Sequence, residues 1–362
     1  MNTNTSRQNP AEWDEDAQLL SHTARDLPMG RHQFHRERLM ARIQQGQRTR
    51  TAAPEKAGRI RLSRPAIVLP AVAAALTGAV IAVVASPAGN GAGSGGVATG
   101  PALTTTVGAA TTKGVPQLLD RISLAAAETS HPAVKPGQYI YIESRAADTF
   151  TRSVGDKTTL ASHELHRRQI WNSPDGTKGW LIDPAVNDSP EGETLSLPDE
   201  QGNPREAGLN GPSYDYLAKL TTDPDALLAK IYKEEKGHGN SPDQQAFTTI
   251  GDLLGESYPP AELYSALFKA AAKIPGVVVV QDAVDAVGRH GVAVARLDET
   301  SGEREEWIFD RKTHVFLGER SVQVKENSGE GALIKPGTVT YTSAIMNRAI
   351  VDGIKQTPSQ AG

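Results

Sequence analysis

The chain has 362 residues, a formal net charge of -4 and no cysteine, and its mean hydropathy of -0.39 is ordinary for a soluble composition. The length allows about two domains of typical size. The lack of cysteine excludes a disulfide framework, a thiol nucleophile, cysteine-ligated zinc or iron–sulfur clusters and a lipobox lipid anchor. Residues 1–64 hold 12 basic against 7 acidic side chains, whereas residues 86–362 hold 26 against 35, which indicates two different environments.

The segment 1–64 is polar at its start and basic toward its end, and a helix is predicted from about Arg31 to Gln45. Within that helix a partial apolar stripe forms the candidate partner-binding face, made of Phe34, Leu39, Met40 and Ile43. Two uses of the helix remain open: it docks on a protein, or it lies on anionic lipid through its arginines. DNA binding has less support because no helix-turn-helix pattern is present, and we expect no nucleic-acid partner.

A membrane span is predicted over residues 65–86. The stretch Ala66–Ala85 has 20 residues without a charge, nine of them Val, Ile or Leu, and a helix of that length matches the roughly 30 Å hydrocarbon core. Pro70 falls in the first turns, where a proline interrupts fewer helical hydrogen bonds. The alternatives are a buried core helix, or a signal peptide cleaved near Ala85 despite a 64-residue leader.

The charges on either side of this span predict its orientation. Four basic residues precede it closely, Lys56, Arg59, Arg61 and Arg64, and the next charge after it is Lys113. The positive-inside rule then places the N-terminus in the cytoplasm and the C-terminal part outside, in a single-pass protein of the cell membrane. Residues 87–112 are rich in Gly, Ala, Ser and Thr and are predicted to be a flexible linker. The Gly91–Gly96 pattern in this linker lacks the strand and helix of a dinucleotide site.

Residues 113–362 are predicted to form the extracytoplasmic domain. A helix is expected over Val115–Thr129 and strands over 139–144, 164–171 and 178–183, the last two joined by the turn Ser173–Gly176. A long loop over 184–212 is followed by three helices and five more strands, namely helices at 223–236, 243–254 and 260–274 and strands at 276–281, 291–297, 305–310, 315–324 and 338–343. This order predicts an α+β fold with a curved, mostly antiparallel sheet and a helical insertion.

The search for catalytic and metal-binding residues gives no assembled site. His163-Glu164-Leu165-His166 has the spacing H-E-x-H rather than the zincin H-E-x-x-H, and on a strand the two histidines are expected to point to opposite faces. Asp223-Pro224 is read as the start of a helix rather than of a calcium loop. The pairs Glu305-Glu306 and Glu234-Glu235 are read as surface charge. We therefore expect no enzyme, no metal and no cofactor.

A family resemblance rests on Asp285–Val294 and on Trp307–Arg320, together with Arg25–Pro28 and Arg36–Ile43 before the span. In these motifs the chain resembles a family of uncharacterised actinobacterial single-pass membrane proteins that are often encoded beside extracytoplasmic-function sigma factors. Arg311 stands where proline is expected, which alters one turn. More loosely, the outer domain is similar to the half-barrels of lipoprotein carriers and of periplasmic regulators of anti-sigma factors.

These features together predict a membrane-anchored, non-enzymatic signalling or regulatory protein. Its outer domain would bind a ligand, and its cytoplasmic helix would bind a cytoplasmic regulator. The family resemblance implies that this regulator is a sigma factor. The alternative is a cell-surface module that carries a lipid or a lipoprotein and binds an apolar ligand. A surface hydrolase is a minor alternative.

Overall fold

The computed structural model describes residues 97–128, 133–154, 157–186, 190–195 and 206–358. Within these ranges no helix is both long enough and apolar enough to cross a membrane. The predicted span and the predicted cytoplasmic segment with its apolar stripe lie outside the described residues.

The described chain folds into a sheet with a group of helices against one face. The strands are β1 (Thr99–Gly100), β2 (Ala110–Thr111), β3 (Tyr139–Val154), β4 (Lys157–His163), β5 (His166–Asn172), β6 (Gly179–Ile182), β7 (Glu193–Thr194), β8 (Val277–Val284), β9 (His290–Asp298), β10 (Glu303–Phe309), β11 (Phe316–Gln323) and β12 (Val339–Val351). The helices are α1 (Val115–Glu128), α2 (Tyr214–Leu217), α3 (Pro224–Glu234), α4 (Pro242–Glu256) and α5 (Ala261–Ala271), with one 3-10 turn at Gly329–Leu333.

The sheet runs in the order β2-β8-β9-β10-β11-β12-β3-β5-β6-β7, and β4 lies between β3 and β1. Every strand pair in the described part of the chain is antiparallel. Helices α2 to α5 lie between β7 and β8 in sequence. The predicted α+β class with a curved, mostly antiparallel sheet is therefore confirmed.

Local sequence signals set several element boundaries. Asp223 caps α3 by accepting a hydrogen bond from the Ala226 amide at 2.8 Å, and Pro224 is the first helical residue. At the turn between β5 and β6, Gly176 has a φ of 74°, a backbone conformation that glycine adopts without a steric penalty. The four helices predicted within residues 113–362 and this predicted hairpin are confirmed.

The predictions for the first long hairpin are wrong in two respects. Strand β3 continues beyond the predicted end at residue 144 to Val154, and β4 occupies residues for which no element is predicted from the sequence. The outer end of this hairpin, from Thr151 to Ser153 and from Lys157 to Thr159, is exposed, so its side chains do not alternate between apolar and polar.

The main core lies between the helices and strands β8 to β11. Phe247 of α4 stacks on Trp307 of β10, with ring centroids 3.8 Å apart, and Phe268 of α5 contacts Phe309 edge-on at 5.5 Å. A Cβ at Gly251 would lie 2.4 Å from the Trp307 Nε1 atom, so glycine permits α4 to approach the sheet this closely. Burial of each large apolar side chain contributes about 1.5–3 kcal/mol. This face of strands β8 to β11 is therefore filled by the protein's own helices.

A segment that we call the strap, residues 97–111, crosses the opposite face of the sheet. It pairs with β4 through β1, its Leu103 carbonyl accepts from the Val339 amide at 2.9 Å, and β2 pairs with β8 at the sheet edge. Thr105 accepts a hydrogen bond from Arg320 at 3.4 Å on that face. The chain then continues into α1, which packs on α5 through a hydrogen bond between Ser123 and Ser265. The predicted linker covers residues 87–112, and the structure describes it from residue 97 onward. The strap accounts for all of that described part except residue 112.

Candidate functional site

A β-bulge positions two histidines on one face of the sheet. Strands β4 and β5 pair with the same edge of β3, where Ser162 lies opposite Thr149 and His166 lies opposite Ala146. Ser162 and His166 are four residues apart in the chain, but their partners on β3, Thr149 and Ala146, are only three apart. The β4–β5 side therefore contains one extra residue. The rings of His163 and His166 consequently lie 6.4 Å apart, edge to face. The expectation that they point to opposite faces is wrong, because the bulge reverses the alternation.

His166 has hydrogen-bond acceptors at both ring nitrogens and is only 8% exposed. Its Nδ1 lies 2.9 Å from the Glu164 carbonyl oxygen, and its Nε2 lies 3.1 Å from Asp183 Oδ1. Only the protonated ring can donate at both positions. Burial lowers the pKa of His166, but the hydrogen bonds to Asp183 and to the Glu164 carbonyl outweigh it and raise the pKa above its ordinary value. The site therefore favours the imidazolium form.

Asp183 links this histidine to an arginine. Its Oδ2 atom lies 3.2 Å from Arg168 Nε, and its Oδ1 atom also accepts from the Ala185 amide at 3.0 Å. Burial raises the pKa of Asp183, yet the hydrogen bond from His166 and the charge of Arg168 hold it below its usual value. The buried carboxylate is therefore ionised and neutralised by two cations.

Arg168 carries the network from the sheet to the helices. Its Nη2 atom lies 3.4 Å from Oε1 of Glu256, the last residue of α4. Arg168 and Asp183 are both buried, so each needs the other as a counter-ion. The network thus connects the bulge, the end of β6 and the end of α4.

A second histidine–carboxylate pair borders the network. His163 Nδ1 lies 2.8 Å from Asp148 Oδ1, and its ring packs on Phe150 with centroids 4.6 Å apart. His163 is partly exposed, unlike His166. The pair therefore forms the boundary between the buried network and solvent.

The arrangement is suited to holding a proton. Both nitrogens of His166 face acceptors, so the ring cannot take a proton from a nucleophile unless one of these contacts breaks. Among the described residues, no three His, Asp or Glu side chains are arranged to hold a metal ion. The chemistry that this geometry offers directly is protonation and deprotonation of His166.

Three of the four paired carboxylates differ from their interpretation as surface charge. Glu305 and Glu306 do point to opposite faces, but both are buried: Glu305 accepts from Trp307 Nε1 at 3.1 Å, and Glu306 pairs with two arginines. Glu235 is also buried and accepts from Asn210 at 2.9 Å, whereas Glu234 is exposed at the surface as expected. The interpretation fails because adjacency in sequence carries no information about what covers each face.

The motif at Asp285 that carries the family resemblance has a structural role. The Asp285 carboxylate accepts from the Arg289 amide at 2.8 Å and from Arg289 Nε at 2.6 Å. The same arginine donates to the carbonyls of Leu317 and Ile345 at 2.7 and 3.0 Å. The motif therefore fixes the β8–β9 turn against β11 and β12.

The sequence contains little that could have revealed the network. Its charged members come from β5, the end of β6 and the end of α4, about 90 residues apart at the extremes, and they form no spaced motif. The only local signal is the pair of histidines around Glu164. The predicted partner-binding residues Phe34, Leu39, Met40 and Ile43 lie outside the described residues, so the structure does not relate them to this site.

Comparison of the chain with protein-family models, and separately with curated proteins, finds no match in either set. The resemblance to sigma-factor-associated membrane proteins therefore remains a prediction from the quoted motifs.

Proposed function

We propose that the chain is a membrane-anchored, non-enzymatic signalling protein. Residues 113–362 form its sensing domain outside the cell, residues 65–86 its membrane span, and residues 1–64 its cytoplasmic effector segment. A sigma factor is the candidate partner of that segment. The proposal combines the charge asymmetry around the span with the attachment of the chain to the outer domain.

The strap is the observation that carries this proposal. It begins within the predicted linker, and it contacts strands β4, β12 and β8 before entering α1. A passive anchor requires only a single covalent connection to the domain. A segment hydrogen-bonded across the sheet can instead transmit a change in the sheet to the chain that leads toward the membrane. This geometry supports a signalling role over a simple tether.

The carrier alternative has less support from the packing. The helix-bearing face, where an acyl chain would be held, is occupied over β10 by two aromatic pairs, Phe247 with Trp307 and Phe268 with Phe309. An acyl ligand would have to displace these rings. A fatty-acyl ligand that raises the melting temperature of the outer domain would favour the carrier function, because ligands that bind only the native state stabilise it.

Reporter fusions test the proposed topology. Fusions after Gly114 should be active outside the cell, and fusions before Lys56 should be active inside. The opposite pattern would reject the orientation and the division of labour that depends on it.

Capture experiments with residues 1–64 test the effector role. Leu39→Asp with Ile43→Asp should abolish binding of a sigma factor while the span still inserts, because two apolar anchors worth about 1.5–3 kcal/mol each are lost. That loss corresponds to at least about a 100-fold weaker Kd. Gln44→Asp with Gln45→Asp adds the same charge at polar positions and is the matched control. Equal binding by both double variants would reject docking through the stripe.

A further inference from the structure

The two peptide groups on either side of the Glu164 Cα connect the buried histidine to the strap. The Glu164 carbonyl accepts a hydrogen bond from His166 Nδ1 at 2.9 Å, and the Glu164 amide donates to the Ala98 carbonyl at 2.9 Å. Thr99 of β1 pairs with His163, the residue just before Glu164. The first contacts of the strap are thus made on the same bulge that His166 holds in place.

Loss of the His166 proton would leave one N–H for two acceptors. The charged Asp183 carboxylate is the stronger acceptor, since hydrogen bonds to ionised groups are roughly twice as strong as neutral ones. The remaining N–H therefore stays on Nε2, and the bare Nδ1 lone pair faces the lone pairs of the Glu164 carbonyl oxygen. Two acceptors 2.9 Å apart repel each other, so the Glu164 carbonyl, which belongs to the peptide group between Glu164 and Leu165, must move away.

We propose that protonation of His166 locks the strap onto the bulge and that deprotonation releases its first strand, β1, so that the outer domain is a proton-controlled switch. Release requires the movement of this carbonyl to displace the Glu164 Cα and, through it, the preceding peptide group between His163 and Glu164, whose N–H donates to the Ala98 carbonyl. The interpretation of this release as a signal rests on the function proposed above. The release itself depends only on the described contacts.

The surroundings of His166 set the pH direction of the switch. The charged and titratable groups that face His166 or its immediate partners come from six places, namely Asp183 after β6, Arg168 on β5, Asp148 on β3, His163 on β4, Glu256 at the end of α4 and Tyr341 on β12 beside Arg168. Asp183 and Asp148 favour the imidazolium ion, and Arg168 is neutralised by Asp183 and Glu256. Acidic conditions therefore hold the strap, and pH above the ordinary histidine range releases it.

Distance measurement on the full-length chain in detergent tests this switch. The chain has no cysteine, so Thr99→Cys on the strap and Glu262→Cys on α5, both at exposed positions, give two specific spin-label sites. We expect a narrow distance distribution at about pH 5 and a broad one at about pH 9, either side of the ordinary histidine pKa of about 6.5. A distribution unchanged over this range would overturn the proposal.

Three variants identify the titrating group. His166→Gln should give the broad distribution at both pH values, and Asp183→Asn should move the midpoint to lower pH because the imidazolium loses its counter-ion. His290→Gln is the matched control, because His290 forms a histidine–aspartate pair with Asp282 at 3.2 Å elsewhere on the sheet, and its pH response should be unchanged. Loss of the response in His290→Gln, or an unmoved midpoint in Asp183→Asn, would reject the assignment. The topology fusions are independent of these outcomes, so failure of the switch is distinguishable from failure of the proposed function.

Discussion

Glu306→Gln should strongly destabilise the outer domain, because the Glu306 carboxylate lies between two buried arginines. Its side chain is fully buried and accepts from Arg304 Nε at 2.8 Å and from Arg320 Nε at 2.7 Å. A second contact from Arg304, through Nη2, lies at 2.7 Å. Glutamine keeps the shape of the side chain but removes its charge and turns an N–H₂ group toward one of the guanidinium groups.

The size of the effect follows from the burial of all three side chains. Removing one partner of a buried ion pair costs about 3–5 kcal/mol, because the remaining charge is left uncompensated away from water. For a domain of this size, 1 kcal/mol lowers the melting temperature by about 2–4 °C. Glu306→Gln should therefore lower the melting temperature of residues 97–362 by about 6–20 °C.

Urea and thermal unfolding of residues 97–362, with and without Glu306→Gln, measure this loss of stability. Glu299→Gln is the matched control, because it makes the same chemical change at a carboxylate that is 71% exposed and paired with Lys325 at the surface. Exposed pairs contribute about 0–1 kcal/mol, so the control should shift the melting temperature by only a few degrees. Equal shifts in the two variants would refute the reasoning, since burial would then not determine the cost.

Two further predictions concern the strap and pH. The sequence predicts that residues 113–362 fold by themselves. We expect residues 97–362 to unfold at a higher urea concentration than residues 113–362, because only the longer fragment retains the contacts of the strap with Arg320 and β8. Identical urea midpoints for the two fragments would contradict this prediction. The raised pKa of His166 means that its stabilising contribution is complete below about pH 6.5 and is lost as pH rises through the folded-state pKa, so His166→Gln should flatten the fall in stability toward pH 9. The lowered pKa of Asp183 acts in the acidic range. The stability that the ionised Asp183 contributes is lost as pH falls through its folded-state pKa. A fall toward pH 9 that is as steep in His166→Gln as in the unaltered chain would contradict the linkage.

Features with a local cause were predictable from the sequence. Helix α1 begins at the predicted Val115, and Asp223-Pro224 starts α3, because caps and helical periodicity act within one or two turns of the chain. The β5–β6 hairpin follows from the turn at Ser173–Gly176 for the same reason. The α+β class follows from the order of these elements.

The candidate site depends on contacts that no local pattern encodes. A single extra residue between Ser162 and His166 places both histidines on one face, and this insertion is visible only once β4 and β5 pair with the same edge of β3. Asp183 and Arg168 become an ion pair because their strands are neighbours. Register between strands is a property of the assembled sheet, so the tertiary structure alone decided these contacts.

Composition and charge along the chain determined the predicted membrane span, its orientation and the division into segments, since insertion depends on the summed hydropathy and charge of a continuous stretch. They could not determine the burial of Glu306 or the course of the strap. A glycine-, alanine- and threonine-rich segment has little apolar surface with which to order itself, and its order comes from backbone hydrogen bonds to β4, β12 and β8. Those acceptors and donors come from strands distant in sequence, so the order of the strap depends on the assembled sheet that it crosses.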